Sequence, residues 1–182
     1  AGKTNCAKTS QHKDHIEMSG PINPDTPFII KKLLKRIEDS PNRCFAKTGG
    51  RRLAISIYLN SGGGYMEDGY ELGDLFREQQ VSTIIAFNGE CYSSCATAFI
   101  GGKFRIMGKE SKIMFHAPYK YNSFYGSDIS CAASDKRLKN YMIKMIGSEN
   151  GNHLYKRTMD YCSKSNGWYL NKGAADIFGL LN

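Results

Sequence analysis

The sequence predicts an α/β fold, a largely parallel sheet with surrounding helices. Two near-continuous apolar runs of strand length, Leu53–Leu59 and Val81–Phe87, have the composition of strands buried on both faces. Apolar residues at helical spacing recur around them. Strand and helix therefore alternate, as parallel βαβ units require. At 182 residues the chain is long enough for one core without metal or disulfide staples. No repeat, linker or low-complexity tract divides it, so it reads as an N-terminal extension over residues 1–14 and one domain over residues 15–182.

The elements follow in order. His15–Ile22 reads as a short strand entering a turn at Gly20-Pro21. Pro24–Pro27 looks like a helix start, with Asp25 or Thr26 as cap and Pro27 in the first turn. Phe28–Asp39 continues it, with apolar residues at 29, 30, 33, 34 and 37, and Ser40-Pro41-Asn42 stops it. After the Leu53–Leu59 strand comes a glycine turn, Asn60–Gly64, then a helix over Met66–Gln80 and the Val81–Phe87 strand. Gly89–Ile100 is small and apolar and reads as a tightly packed helix. Phe104–Met107 and Lys112–Phe115 are strands. Lys136–Cys162 is a long helical region broken near Gly151. Its apolar residues Leu138, Tyr141, Met142, Met145 and Ile146 recur at i, i+3 and i+4 steps. Trp168–Leu170 and Ala174–Leu181 close the chain.

Lys and Arg number 25 against 17 Asp and Glu, a net charge of +8. The basic residues are scattered, with no Arg-rich arm or zinc-finger spacing, so nucleic acid is not an expected partner. No apolar run approaches the ~18 residues of a transmembrane segment. Six cysteines, Cys6, Cys44, Cys91, Cys95, Cys131 and Cys162, contain no CxxC pair for zinc. Their number points to an oxidising compartment, periplasmic or secreted, against the alternative of buried thiols in a reducing one.

Three segments at strand ends carry chemistry. The glycine turn leaves backbone N–H groups unshielded, which suits an oxyanion or phosphate, though it lacks the Lys-Ser/Thr of a P-loop. Gly89–Ala96 presents Ser93 and Ser94 at the start of a helix, where orphan N–H groups stabilise negative charge; helix capping is the plainer role. His116 alone among the four histidines follows an apolar strand and precedes a Pro turn.

Taken together these segments resemble the proteolytic subunit of the Clp protease, and more broadly the ClpP/crotonase superfamily, over about residues 15–182. Ile16–Ile22 is similar to that family's opening strand, and Tyr58–Gly64 to its Y-I-N-S-P-G-G turn. Gly89–Ala96 is similar to its G-x-A-A-S-M-G-A nucleophile segment, Arg105 through Pro118 to its R…H-x-P run, and Ala174–Asn182 to its closing E-A-x-x-Y-G-L-V-D. The Cys-x-Ser-x-Cys segment resembles a divergent, exported branch. The resemblance implies a ClpP/crotonase-like fold and a serine endopeptidase. Ser93 would be the nucleophile, His116 its general base, and the backbone N–H groups of Gly63 and Ser94 the oxyanion hole. It implies a peptide or protein substrate, neither metal nor cofactor, and a homo-oligomer assembled through the helical region after His116, where Tyr141, Met142, Met145 and Ile146 would face either a second copy or the core. Two departures stand out. Gly62 replaces the turn's Pro, and the family's acidic third member falls on Gly167, where no acid stands. Asn166 and Ser165 are the nearest polar residues and Asp160 the nearest earlier acid, so Asn166 is the candidate third member.

The alternatives are a weak or inactive binding and assembly protein on the same fold, and an acyl-CoA enzyme of the crotonase type. The second uses no Ser-His pair, so the presence of Ser93 and His116 counts against it. A Ser-Lys dyad would need a Lys in place of His116. Finally, Cys91 and Cys95 bracket Ser93. Residues four apart on a helix have Cα atoms about 6 Å apart, within disulfide reach once the chain bends before the first turn. A Cys91–Cys95 bridge is expected, with Cys131–Cys162 and Cys6–Cys44 as the remaining pairs; the alternative is free thiols filling space.

Overall fold

A computed structural model describes residues 15–39, 54–122, 124 and 128–182. The N-terminal extension, Cys6 and Cys44 lie outside the described residues.

Strand β1 (His15–Ser19) pairs in parallel with β2 (Ser56–Asn60), β2 with β3 (Ser82–Ile85), and β3 with β5 (Phe104–Met107). The strands within the two apolar runs are not buried on both faces as expected: each alternates buried and outward residues, so Ile57 and Leu59 enter the core while Tyr58 points away. A second sheet has β6 (Lys112–Phe115) at its centre, parallel to β4 (Glu90–Tyr92) and antiparallel to β9 (Trp168–Asn171). A bridge between Ser61 and Cys91 links the two sheets. The described fold is thus the expected mixed α/β arrangement with mostly parallel pairing.

Helix α1 (Asp25–Glu38) buries Pro27, Ile30 and Leu34, three and four residues apart. Its cap differs from expectation. Pro24 occupies that position, and the chain enters through Asn23, whose Oδ1 accepts from the Asp25 N–H while Thr26 Oγ accepts from the Asn23 N–H. Helix α2 (Met66–Glu78) packs on the short, fully buried α3 (Ser94–Phe99). The segment before α3 is strand β4, not helix; three residues are too few to show a period of two in the sequence.

The long helical region breaks at Gly147, between α4 (Lys136–Ile146) and α5 (Ser148–Met159), rather than near Gly151. Gly147 takes φ +92°, a left-handed conformation that suits glycine. Gly151 sits inside α5, where a Cβ would lie 2.6 Å from the backbone of Ile143. Tyr141, Met142, Met145 and Ile146 are buried in the chain's own core, so this face is not open to a second copy. A small hairpin, β7 (Tyr119–Tyr121) and β8 (Ile129–Cys131), was not expected from the sequence, and α6 (Lys172–Ile177) closes the chain. Among the described residues no helix is long and apolar enough to cross a membrane.

Candidate active site

Strands β4 and β6 run side by side with Tyr92 opposite Met114, so the residues that follow them emerge at one end. Ser93 follows β4 directly, and its N–H donates to Met114 O at 2.9 Å. Its backbone takes φ 59° and ψ −122°, a conformation L residues rarely adopt, which costs about 1–3 kcal/mol. The surroundings enforce it. Cys91 in β4 and Cys95 in α3 are joined by a disulfide across Ser93, and both are fully buried. Ser93 is half-buried, whereas Ser94 is fully buried with no hydrogen-bond partner for its hydroxyl.

The glycine turn lies against this elbow. Gly63 has φ +97°, and a Cβ there would meet Tyr92 O at 2.5 Å, Ser93 Cβ at 2.9 Å and the Ser94 nitrogen at 3.2 Å. Only glycine fits so close to the backbone of the elbow. The Gly63 N–H donates to Ser61 Oγ at 3.1 Å, and that hydroxyl donates to Gly20 O at 2.6 Å. The Ser94 N–H opens helix α3, where the first N–H groups lack helical acceptors, and among the described residues no acceptor reaches it.

His116 follows β6 and is 9% exposed. Its Nδ1 lies 2.9 Å from Ala117 O. A carbonyl only accepts, so Nδ1 carries the proton and the neutral ring keeps its lone pair at Nε2. The ring stacks on Tyr119, with centroids 5.5 Å apart. No hydrogen bond joins Ser93 to His116 among the described residues. Asn166 is exposed and makes its hydrogen bond through its backbone N–H, to Ser163 Oγ at 2.9 Å, so it does not hold the ring. At Gly167 a Cβ would lie 2.0 Å from Met114 Sδ and 2.9 Å from Phe115 O, which leaves no room for an acid without displacement. The acceptor that sequence reasoning sought as a side chain is a main-chain carbonyl, which carries no residue signature.

The sequence profile of the Clp protease family matches residues 44–181. The chain belongs to the Clp protease family. A curated relative, an ATP-dependent Clp protease proteolytic subunit of Carsonella ruddii (strain PV), is 29% identical over 107 residues, 56% of this chain and 54% of the relative. The chain therefore spans about half the length of that relative. ClpP1 from Listeria monocytogenes superposes with a TM-score of 0.63 at 18% identity, covering 93% of this chain and 89% of that one. A membrane-bound stomatin-specific protease, in a variant bound to a substrate peptide, superposes with a TM-score of 0.64 at 18% identity, covering 92% and 72%. These likenesses show the ClpP/crotonase-like fold.

Proposed function

We propose that this Clp-family chain is a serine endopeptidase that acts on peptides or proteins outside the cytosol, in the periplasm or as a secreted protein. One observation carries the reading: Ser93 is held in a strained, disulfide-bracketed elbow, with the Ser94 N–H and Gly63 on one side and the end of strand β6 bearing His116 on the other. Ser93 Oγ attacks the carbonyl carbon of the substrate, and its proton passes to His116 Nε2, the nitrogen left bare by the Ala117 hydrogen bond. The oxyanion is received by the Ser94 N–H and, once it exchanges its bond to Ser61, by the Gly63 N–H. Each such donor is worth about 3–4 kcal/mol in the transition state. His116 then returns the proton to the leaving amine.

The Ala117 carbonyl fixes the tautomer that this mechanism needs. It is neutral, so it stabilises an imidazolium less than a carboxylate does, and the turnover expected is slow. The resting gap between Ser93 and His116 is compatible with a base that comes into hydrogen-bond reach on substrate binding. The two disulfides support an oxidising compartment. Exposed Tyr58, Phe104 and Ile106 on the outward face of the four-stranded sheet support association into a homo-oligomer.

Among the described residues no acid meets His116, which favours a second reading, a weak or inactive assembly protein of the same fold. Hydrolysis of a panel of internally quenched peptides separates the two. The enzyme reading expects slow cleavage by the wild type and none above background in Ser93→Ala or His116→Ala. Cleavage that persists in Ser93→Ala would refute the mechanism, and a folded wild type that cleaves nothing would favour the second reading.

A further inference from the structure

The bridge between Cys131 and Cys162 closes a ring of contacts around His116. Cys131 in β8 is the cross-strand partner of Tyr119 in β7, and the Tyr119 ring stacks on the His116 imidazole. At the other end, Cys162 follows Tyr161, whose carbonyl accepts the Ala117 N–H at 2.9 Å. Ala117 in turn supplies the carbonyl that holds His116 Nδ1. Both supports of the imidazole, the stacked ring and the carbonyl, thus lead within one residue or one strand pairing to opposite ends of a single covalent bond. Among the described residues the hairpin's other ties are slight: Tyr121 is 58% exposed with the Lys164 ammonium 4.6 Å from its ring centroid, and all three β8 residues are at least partly exposed. A three-residue pair of strands is not stable alone in water.

We propose that the Cys131–Cys162 disulfide is the positioning group for His116, a covalent strut that holds the ring where an acidic side chain would otherwise hold it. The proposal rests on His116 being the general base. The strut is reducible. Cys162 is exposed and Cys131 partly exposed, whereas Cys91 and Cys95 are fully buried. A dithiol in limiting amount therefore attacks the outer bridge first. It gives two electrons and two protons: the S–S bond of Cys131–Cys162 breaks, two thiols form, and the dithiol closes to its own disulfide. Tyr119 and the Tyr161–Ala117 contact are then no longer tied together, and the imidazole gains freedom to turn and exchange tautomers.

The test is the nitrogen spectrum of the ¹⁵N-histidine-labelled chain before and after mild dithiol treatment, with the opened cysteines identified by alkylation and peptide mapping. A Cys131→Ser/Cys162→Ser double variant is measured alongside. With the bridge closed, His116 is expected to show one neutral tautomer with the proton on Nδ1. With the bridge open, the signature should average toward both tautomers, and the rate of fluorophosphonate labelling should drop about tenfold or more, within the range a positioned base contributes. An unchanged tautomer signature with the bridge shown to be open would overturn the proposal. So would collapse of the whole amide spectrum on reduction, because the bridge would then be a staple of the fold rather than of one ring. If the tautomer signature shifts but Ser93 never labels, the strut stands and the peptidase reading fails.

Discussion

At Gly63 two constraints coincide, a backbone at φ +97° and a Cβ position 2.5 Å from Tyr92 O. Replacement by alanine costs about 1–3 kcal/mol in backbone strain before any clash. The clash then pushes the glycine turn away from the elbow and takes one oxyanion donor with it. Gly63→Ala is expected to lower the denaturant midpoint and to slow fluorophosphonate labelling by about a hundredfold or more. Labelling at the wild-type rate would mean that Gly63 N–H is not part of the site. The placement of the glycine turn against Ser93, and of His116 at the end of the neighbouring strand, was legible from the order of strands and turns in the sequence. The group on His116 Nδ1 was not, because any residue at 117 supplies the same carbonyl.

Among the elements, the end of helix α2 is tied down by Arg77. Its guanidinium donates to Ile100 O, Gly101 O and Gly102 O just beyond α3, and to Met145 O at the end of α4. Burial pushes its pKa down, yet the partial negative charge at two helix ends offsets the cost of keeping it ionised. Arg77→Met leaves these carbonyls without their donor and is expected to destabilise the chain by about 2–4 kcal/mol, read from urea unfolding. A change below half a kcal/mol would show that water replaces the arginine. The sequence carried no sign of this junction, because carbonyl acceptors are invisible in it. Strands β2 and β3, five and four residues long, were legible from the apolar runs that contain them. Strand β4 and the β7–β8 hairpin were not, being three residues long and set by what they pair with. Gly147 and Gly151 look alike in sequence, and only their backbone angles and packing separate a break from a close approach.

For the whole molecule, the packing of α2, α3 and α4 makes stability depend on alkaline pH. Tyr141 is buried, its hydroxyl donates to Thr97 O at 2.5 Å, and its ring meets Tyr70 edge-on. Burial holds its pKa well above the ordinary value of 10.0. Above that pH the unfolded chain loses a proton that the folded chain keeps. The folded state then binds more protons, so stability present below pH 10 is lost as pH rises. Arg105, pushed down to about 10 by burial and then by the charge of Arg77, works in the opposite sense over the same range. The difference between wild type and Tyr141→Phe isolates the tyrosine: the variant should lose about 1 kcal/mol at neutral pH and fall less steeply above pH 10. Parallel curves would show that Tyr141 ionises freely. The central claim, that this Clp-family fold carries a working Ser-His site, rests on one atom. Its most direct test is mapping of the adduct formed when the oxidised protein is treated with a fluorophosphonate and digested. The account predicts a single phosphonylated residue, Ser93, and none in His116→Ala. An adduct on Ser94, or no adduct at all on a folded, disulfide-bonded chain, would contradict it.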